Sequence, residues 1–133
     1  LGFAVRLGYR RRVDHSASGR VLAAFASPAD RQRLIGRLAE TYPDFDRSGF
    51  EARIERIAKV GHEKSPSRTV RGVTDLGAPI IGETGWAVGA LTVPFILRDD
   101  AHAGLDDAAA VVVREASAIS ADLAVGMPGA ASA

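Results

Sequence analysis

Apolar positions in the middle of the chain follow a strand pattern that has no polar side. Over residues 72–81, Leu76, Ala78 and Ile80 project one way and Gly77, Pro79 and Ile81 the other, because successive strand residues point to opposite faces. Over residues 86–95, Trp86, Val88, Ala90 and Thr92 oppose Ala87, Gly89, Leu91 and Val93 in the same manner. Between the two runs stands Gly82-Glu83-Thr84-Gly85, a four-residue turn with glycine at each end, so the segment reads as an antiparallel hairpin. A hairpin wetted on one side alternates apolar with polar residues, and this one is therefore expected to be covered on both faces. Small residues along it (Gly77, Ala78, Gly89, Ala90) leave room against the sheet for either a packed helix or a bound molecule. The pattern leaves both open.

The flanking segments are helical in pattern. Residues 1–9 alternate in places (Phe3, Val5, Leu7, Tyr9) as an edge strand does, with a turn at Gly8. The polar run Asp14-His15-Ser16-Ala17-Ser18-Gly19-Arg20 leads into Val21-Leu22-Ala23-Ala24-Phe25 as a helix start, with Ser16 or Ser18 as its cap. Ser27-Pro28-Ala29-Asp30 opens a second helix with Leu34, Ile35 and Leu38 as its inner stripe. Asp46 or Ser48 caps a third, whose Phe50, Ile54, Ile57 and Ala58 share a face and whose Glu51, Arg53, Glu55, Arg56 and Lys59 read as a solvated face. Gly61 ends that helix as a left-handed cap, and the polar residues 62–71 form a short strand and loop ahead of the hairpin. After a turn at Arg98-Asp99-Asp100, a long helix from Ala101 or Leu105 to Val125 repeats Leu105, Ala109, Val112, Ala116, Ile119 and Leu123 at spacings of four and three. That stripe suits the sheet or a partner subunit equally. Gly126-Met127-Pro128-Gly129 stops the helix, and residues 126–133 are expected to be a flexible tail.

Composition narrows the class without naming a function. A chain of 133 residues is one domain, long enough to bury about two-thirds of its unfolded surface. Its 47% hydrophobic and 25% charged residues are those of an ordinary globular protein, and a net charge of +1 signals no nucleic acid, membrane or acidic partner. With no cysteine there is no disulfide scaffold and no thiolate site, which fits a reducing compartment. No apolar run approaches the ~20 residues of a membrane span. Because the chain opens on Leu1, it is expected to be part of a longer protein.

Catalytic chemistry has little to stand on. His15, His62 and His102 lie far apart, without paired-ligand spacing for a metal. No nucleophile elbow, phosphate loop or dinucleotide fingerprint is present. Asp14, His15 and Ser16 are adjacent, but a triad needs each group to approach from its own direction. The expectation is no catalytic residue, no metal and no cofactor. Arg10-Arg11-Arg12 reads as a solvated edge that discourages aggregation, not a phosphate grip. The start of the first helix, with unpaired N–H groups and a positive dipole end, suits a carboxylate or phosphate, although every helix needs its cap.

Two stretches resemble the effector-binding domain of the IclR family of bacterial transcriptional regulators. His15-Ser16-Ala17-Ser18-Gly19-Arg20-Val21-Leu22-Ala23-Ala24-Phe25 is similar to that family's H-x-T-A-x-G-K-x-L-L-A segment. Gly61-His62 through Gly72-Val73, then Ala78-Pro79-Ile80 and residues 85–93, resemble its G-Y-x-x-D-x-E-E-x-x-x-G-V…A-P-V…G-x-V-V-A-A-L-S-V segment. The resemblance implies an α+β, GAF-like fold: a curved antiparallel sheet flanked by helices, with a long C-terminal helix. It implies an effector-binding domain over residues 1–125, lacking its N-terminal strands and the winged-helix DNA-binding domain. By position it implies a small-molecule effector held by Ser16, Ala17 and Ser18, by Ser65 on the loop, and by Asp75, Thr92 and Pro94 on the hairpin. Departures from the family pattern are Ser65 for a loop aspartate, Ser67-Arg68 for an acidic pair, and Pro94 for a serine. The family histidine falls on His15 or Asp14. The resemblance further implies a cytoplasmic homodimer or homotetramer (a dimer of dimers) that reaches DNA only through a domain absent from this chain. A GAF-like dimerisation module without ligand is the alternative.

Overall fold

The computed structural model describes residues 7–96 and 104–126. Its helices start where the sequence supplies a cap. Ser16 is extended and its hydroxyl accepts from the Gly19 N–H at 3.1 Å, opening helix α1 (Ala17–Ala24) just after a 3-10 turn at Val13–His15. Ser27 caps α2 (Pro28–Thr41), with Pro28 in the first turn, where its missing N–H is not needed. Asp46 caps α3 (Arg47–Val60) through the Gly49 N–H at 3.0 Å. Gly61 closes α3 at φ 96°, a left-handed conformation that glycine adopts without a Cβ clash.

Three strands follow: β1 (Glu63–Pro66), β2 (Val73–Ile81) and β3 (Ala87–Ile96), antiparallel in the order β1-β2-β3. The expected hairpin is β2–β3, with Asp75 opposite Pro94, Gly77 opposite Thr92 and Ala78 opposite Leu91. A register shift at Ile80/Ile81 leaves Val88 unpaired, and Gly82 closes on it: a Cβ there would meet Val88 Cγ1 at 2.5 Å. Helix α4 (Leu105–Gly126) completes the described chain.

Opposed residues of a ladder share a face, and the two faces of this sheet are covered differently. Leu76 and Ala78, with Leu91 and Phe95, pack on Ala109, Val112 and Ala116 of α4. Gly77, on the other face, admits α1: a Cβ added there would lie 3.2 Å from Val21 Cγ2. Val21, Ala23 and Ala24 of α1 join Ile35, Leu38, Phe50, Ile54 and Ile57 of α2 and α3 in the second core cluster. The result is an α+β fold with helices on both sides of a three-stranded sheet. Leu76 is fully buried between them, so Leu76→Ala is expected to cost about 2–5 kcal/mol, measured as a lower midpoint in urea unfolding; an unchanged midpoint would mean that α4 does not bear on the sheet.

Several expectations need correction. Cover on both faces of the hairpin is incomplete, since Val88, Thr92, Val93, Pro94 and Ile96 of the edge strand β3 are exposed. Ala58 is exposed because the core ends at Ile57. The α4 stripe is buried only as far as Ala116; Ser120 bonds the Ile81 N–H at 2.9 Å, and beyond this end of β2, Ile119 and Leu123 have no sheet to cover them. Gly8 does sit in a turn, at φ 80°. Residues 7–9 are turn and coil, not strand, and Gly126, expected to open the tail, is the last residue of α4. The remainder of the first expected strand (residues 1–6), the expected turn at 98–100 and the rest of the expected tail (127–133) lie outside the described residues.

Candidate functional site

Where α1 runs out over the sheet, the Asp75 end of its face is left uncovered by the helix. A cavity of about 360 Å³ forms there. Its floor is Val73, Asp75, Thr92, Val93 and Pro94 from the hairpin. One wall is the start of α1 (Ser16, Ala17, Ser18); the others are Arg11 and the loop residues Ser67, Thr69 and Val70 between β1 and β2. The loop is held by the Ser67 N–H donating to the Val73 carbonyl at 2.8 Å and by a 3.2 Å contact between the Ser67 and Thr69 hydroxyls.

Six of the seven residues implied by the resemblance therefore border one cavity: Ser16, Ala17, Ser18, Asp75, Thr92 and Pro94. The seventh does not. Ser65 stands directly opposite Asp75 in the β1–β2 ladder, but the Arg20 guanidinium reaches over it from α1. The Ser65 hydroxyl accepts from Arg20 Nη2 at 2.8 Å in a buried setting and borders a second, more open cavity of about 510 Å³ instead. Ser65 is thus part of the support for the first cavity rather than its lining.

That support is an ion cluster which sequence periodicity did not show. Glu63, with its side chain wholly buried, accepts from Arg20 Nε at 2.6 Å, from Arg53 Nη2 at 2.6 Å and from the Lys64 N–H at 2.8 Å. Arg20 Nη1 also donates to the Asp14 carbonyl at 3.0 Å. Burial pushes the Glu63 carboxyl up, but hydrogen bonds from Arg53 and Arg20, together with their charges, outweigh it and hold the group below its ordinary value. The cluster pins α1 to β1 and α3, and so sets where the first turn of α1 stands over the hairpin. Arg53 consequently does not belong to a solvated face. Arg12 departs from the solvated-edge reading as well: it bonds Asp14 at 2.8 Å and Asp44 at 2.9 Å and lies 3.9 Å over the Tyr42 ring. The hydrogen bond to Asp14 is the largest cause holding the Arg12 guanidinium above its ordinary value, and that from Arg12 lowers the Asp44 carboxyl. Arg11, its neighbour, is exposed at the cavity. The one signal in the sequence for the cluster is Arg20 itself, a basic residue directly after the small residues Ser16, Ala17, Ser18 and Gly19.

Chemically, the cavity offers donors on one side and an acceptor on another. The N–H groups of Ala17 and Ser18 bond no acceptor among the described residues, as expected of the first turn of a helix. Asp75 and Thr92 present a carboxylate and a hydroxyl from the floor. Among the described residues no group of three or more histidine, cysteine or acidic side chains converges to hold a metal, and no helix is long and apolar enough to cross a membrane.

This arrangement is the fold of the C-terminal domain of IclR-type transcriptional regulators. An IclR homolog from Microbacterium hydrocarbonoxydans, solved in complex with 4-hydroxybenzoate, is similar over 95% of this chain at 21% identity with a TM-score of 0.71. The transcriptional regulator YaiJ is similar over 97% of this chain and 75% of its own, at 18% identity and a TM-score of 0.73. The C-terminal domain of the E. coli regulator KdgR is similar over 84% of this chain and 70% of its own, at 16% identity and a TM-score of 0.67. The chain spans about half the length of the Microbacterium homolog (52%). No protein-family model matches the chain, and no curated protein does.

Proposed function

We propose that this chain is the ligand-sensing part of an IclR-type transcriptional regulator, and that the cavity over Asp75 and Thr92 takes a small organic acid or aromatic metabolite. The observation that carries the reading is the convergence on one cavity of six residues drawn from two distant stretches, with the open N–H groups of Ala17 and Ser18 beside them. Such N–H groups favour a carboxylate. Binding of 4-hydroxybenzoate by the Microbacterium homolog supports a ligand of this kind. The full protein would act in the cytoplasm as a homodimer or dimer of dimers, touching DNA through a winged-helix domain outside this chain. A ligand shifts such an assembly only by its difference in affinity for two arrangements. The loop 67–70 and the start of α1, which meet across the cavity, are the segments a ligand would draw together.

Thermal melting against a broad panel of carboxylates tests the reading. A true ligand at about a hundred times its dissociation constant raises stability by about 2.7 kcal/mol. Ala17→Pro sharpens the test. Ser16 has φ −122° and ψ 145°, the extended conformation that a residue before proline requires, so the change deletes one open N–H while suiting the backbone. Helix content is expected to persist in circular dichroism, and carboxylate binding to weaken by roughly tenfold or more, the size of a hydrogen bond to a charged group. No stabilisation by any member of the panel would favour the ligand-free dimerisation module instead.

A further inference from the structure

Asp75 gives the cavity a chemical preference that its helix end does not. The carboxylate is half-buried on the floor, and an ionised carboxylate only accepts hydrogen bonds. Its opposite neighbours in the sheet are Pro94, which has no N–H, and Ser65, whose hydroxyl is engaged by Arg20; Val73 and Val93 border the same floor. Among the described residues no donor bonds the Asp75 side chain, and the one cation bordering the cavity, Arg11, is exposed. A molecule filling the cavity therefore takes water away from Asp75 without a hydrogen bond from any described residue replacing it, unless the molecule itself donates.

We infer that the cavity selects a monocarboxylate carrying a second, donating group, a hydroxyl or an ammonium, which bonds Asp75, and that it rejects dicarboxylates. The inference rests on the proposed sensing role and specifies its ligand. The carboxylate sits against the open N–H groups of α1, and the donor faces Asp75 and Thr92. A methyl in place of the donor leaves Asp75 buried and unpaired, and a second carboxylate adds like-charge repulsion.

Calorimetric titration of the chain with two matched series tests this. One is 4-methyl-, 4-hydroxy- and 4-(aminomethyl)benzoate with terephthalate; the other is pentanoate, 5-hydroxy- and 5-aminopentanoate with glutarate. In the series that fits, the hydroxyl and ammonium members are expected to bind at least tenfold tighter than the methyl member, with the dicarboxylate weakest; tenfold is the lower end for a hydrogen bond to a charged group. Asp75→Leu is expected to reverse that order in favour of the methyl member. Asp75→Asn, which preserves the shape, is expected to abolish the ammonium preference and admit the dicarboxylate. Equal binding of methyl and donor members, or an order unchanged by both substitutions, overturns the inference while carboxylate sensing stands. If no member of either series binds, this inference is overturned, and the sensing role is decided separately by the broad melting panel.

Discussion

Gly19→Ala is expected to destabilise the domain, whereas Gly36→Ala is expected to stabilise it. Both glycines lie in helices, and alanine gains about 0.5–1 kcal/mol over glycine in a helix interior. Around Gly36 there is nothing within 4 Å of an added Cβ, so that gain is realised. At Gly19 the Cβ would lie 2.5 Å from the Val13 carbonyl oxygen, 2.6 Å from Val13 Cα and 2.7 Å from Ser16 Oγ. Two of these are backbone atoms, which cannot rotate away as the end of a long side chain would. Overpacking of this kind costs about 1–3 kcal/mol, more than the helix gain, and relief requires the 3-10 turn and the start of α1 to part. Because that same first turn walls the cavity, carboxylate binding should weaken along with stability. Urea unfolding of the two variants measures the contrast. Shifts of the same sign would show that the close approach of Val13 to α1 is not maintained in solution.

A second large effect is expected at Glu63. Glu63→Gln keeps the shape but removes the charge between Arg20 and Arg53, and Arg20 is itself buried. Breaking a buried pair by removing one partner costs about 3–5 kcal/mol, mostly because a buried charge is left uncompensated. The pH dependence follows from the direction of the Glu63 shift. Its folded-state carboxyl lies below the ordinary value of 4.5, so the unfolded chain takes up the proton first as the medium is acidified. The stabilisation is complete above 4.5 and is lost as pH falls through the lower folded value. Asp30, Asp44 and Asp106 are lowered too, by hydrogen bonds from Ser27, Arg12 and Lys64 respectively. They bend the acid limb in the same direction in both proteins. The difference between wild type and Glu63→Gln, followed by urea midpoints from neutral pH down, isolates Glu63: large at neutral pH and shrinking in acid. A difference that stayed constant across the acid range would show that Glu63 is not charged in the folded protein.

The contrast between these two sites shows how far the sequence could be read. Gly19 lay inside a motif visible at once, and its neighbours Ser16, Ala17 and Ser18 were placed at the cavity by position alone. Asp75, Thr92 and Pro94 are implied by the same resemblance, and the register sets Asp75 opposite Pro94. The resemblance implies Ser65 as well, and the structure sets it beside Arg20 and another cavity. Its place opposite Asp75 comes from the β1–β2 register, and which group stands over it depends on Arg20, 45 residues away in the chain. Arg53 and Arg12 were likewise read as solvated, because a charged residue on a helix or edge has no local mark telling whether its partner is water or a carboxylate brought in from elsewhere.

Element boundaries, caps and the two-faced hairpin were decided locally: by capping oxygens, by glycine at left-handed positions, and by the periods of strand and helix, all of which act within a few residues. Tertiary structure decided what covers each face, where the cavity opens and which charges are buried together. The Arg20–Glu63–Arg53 cluster exists only once α1, α3 and β1 have been packed against one another. Burial and ion pairing are set by distances between segments, and no local period in the chain encodes those.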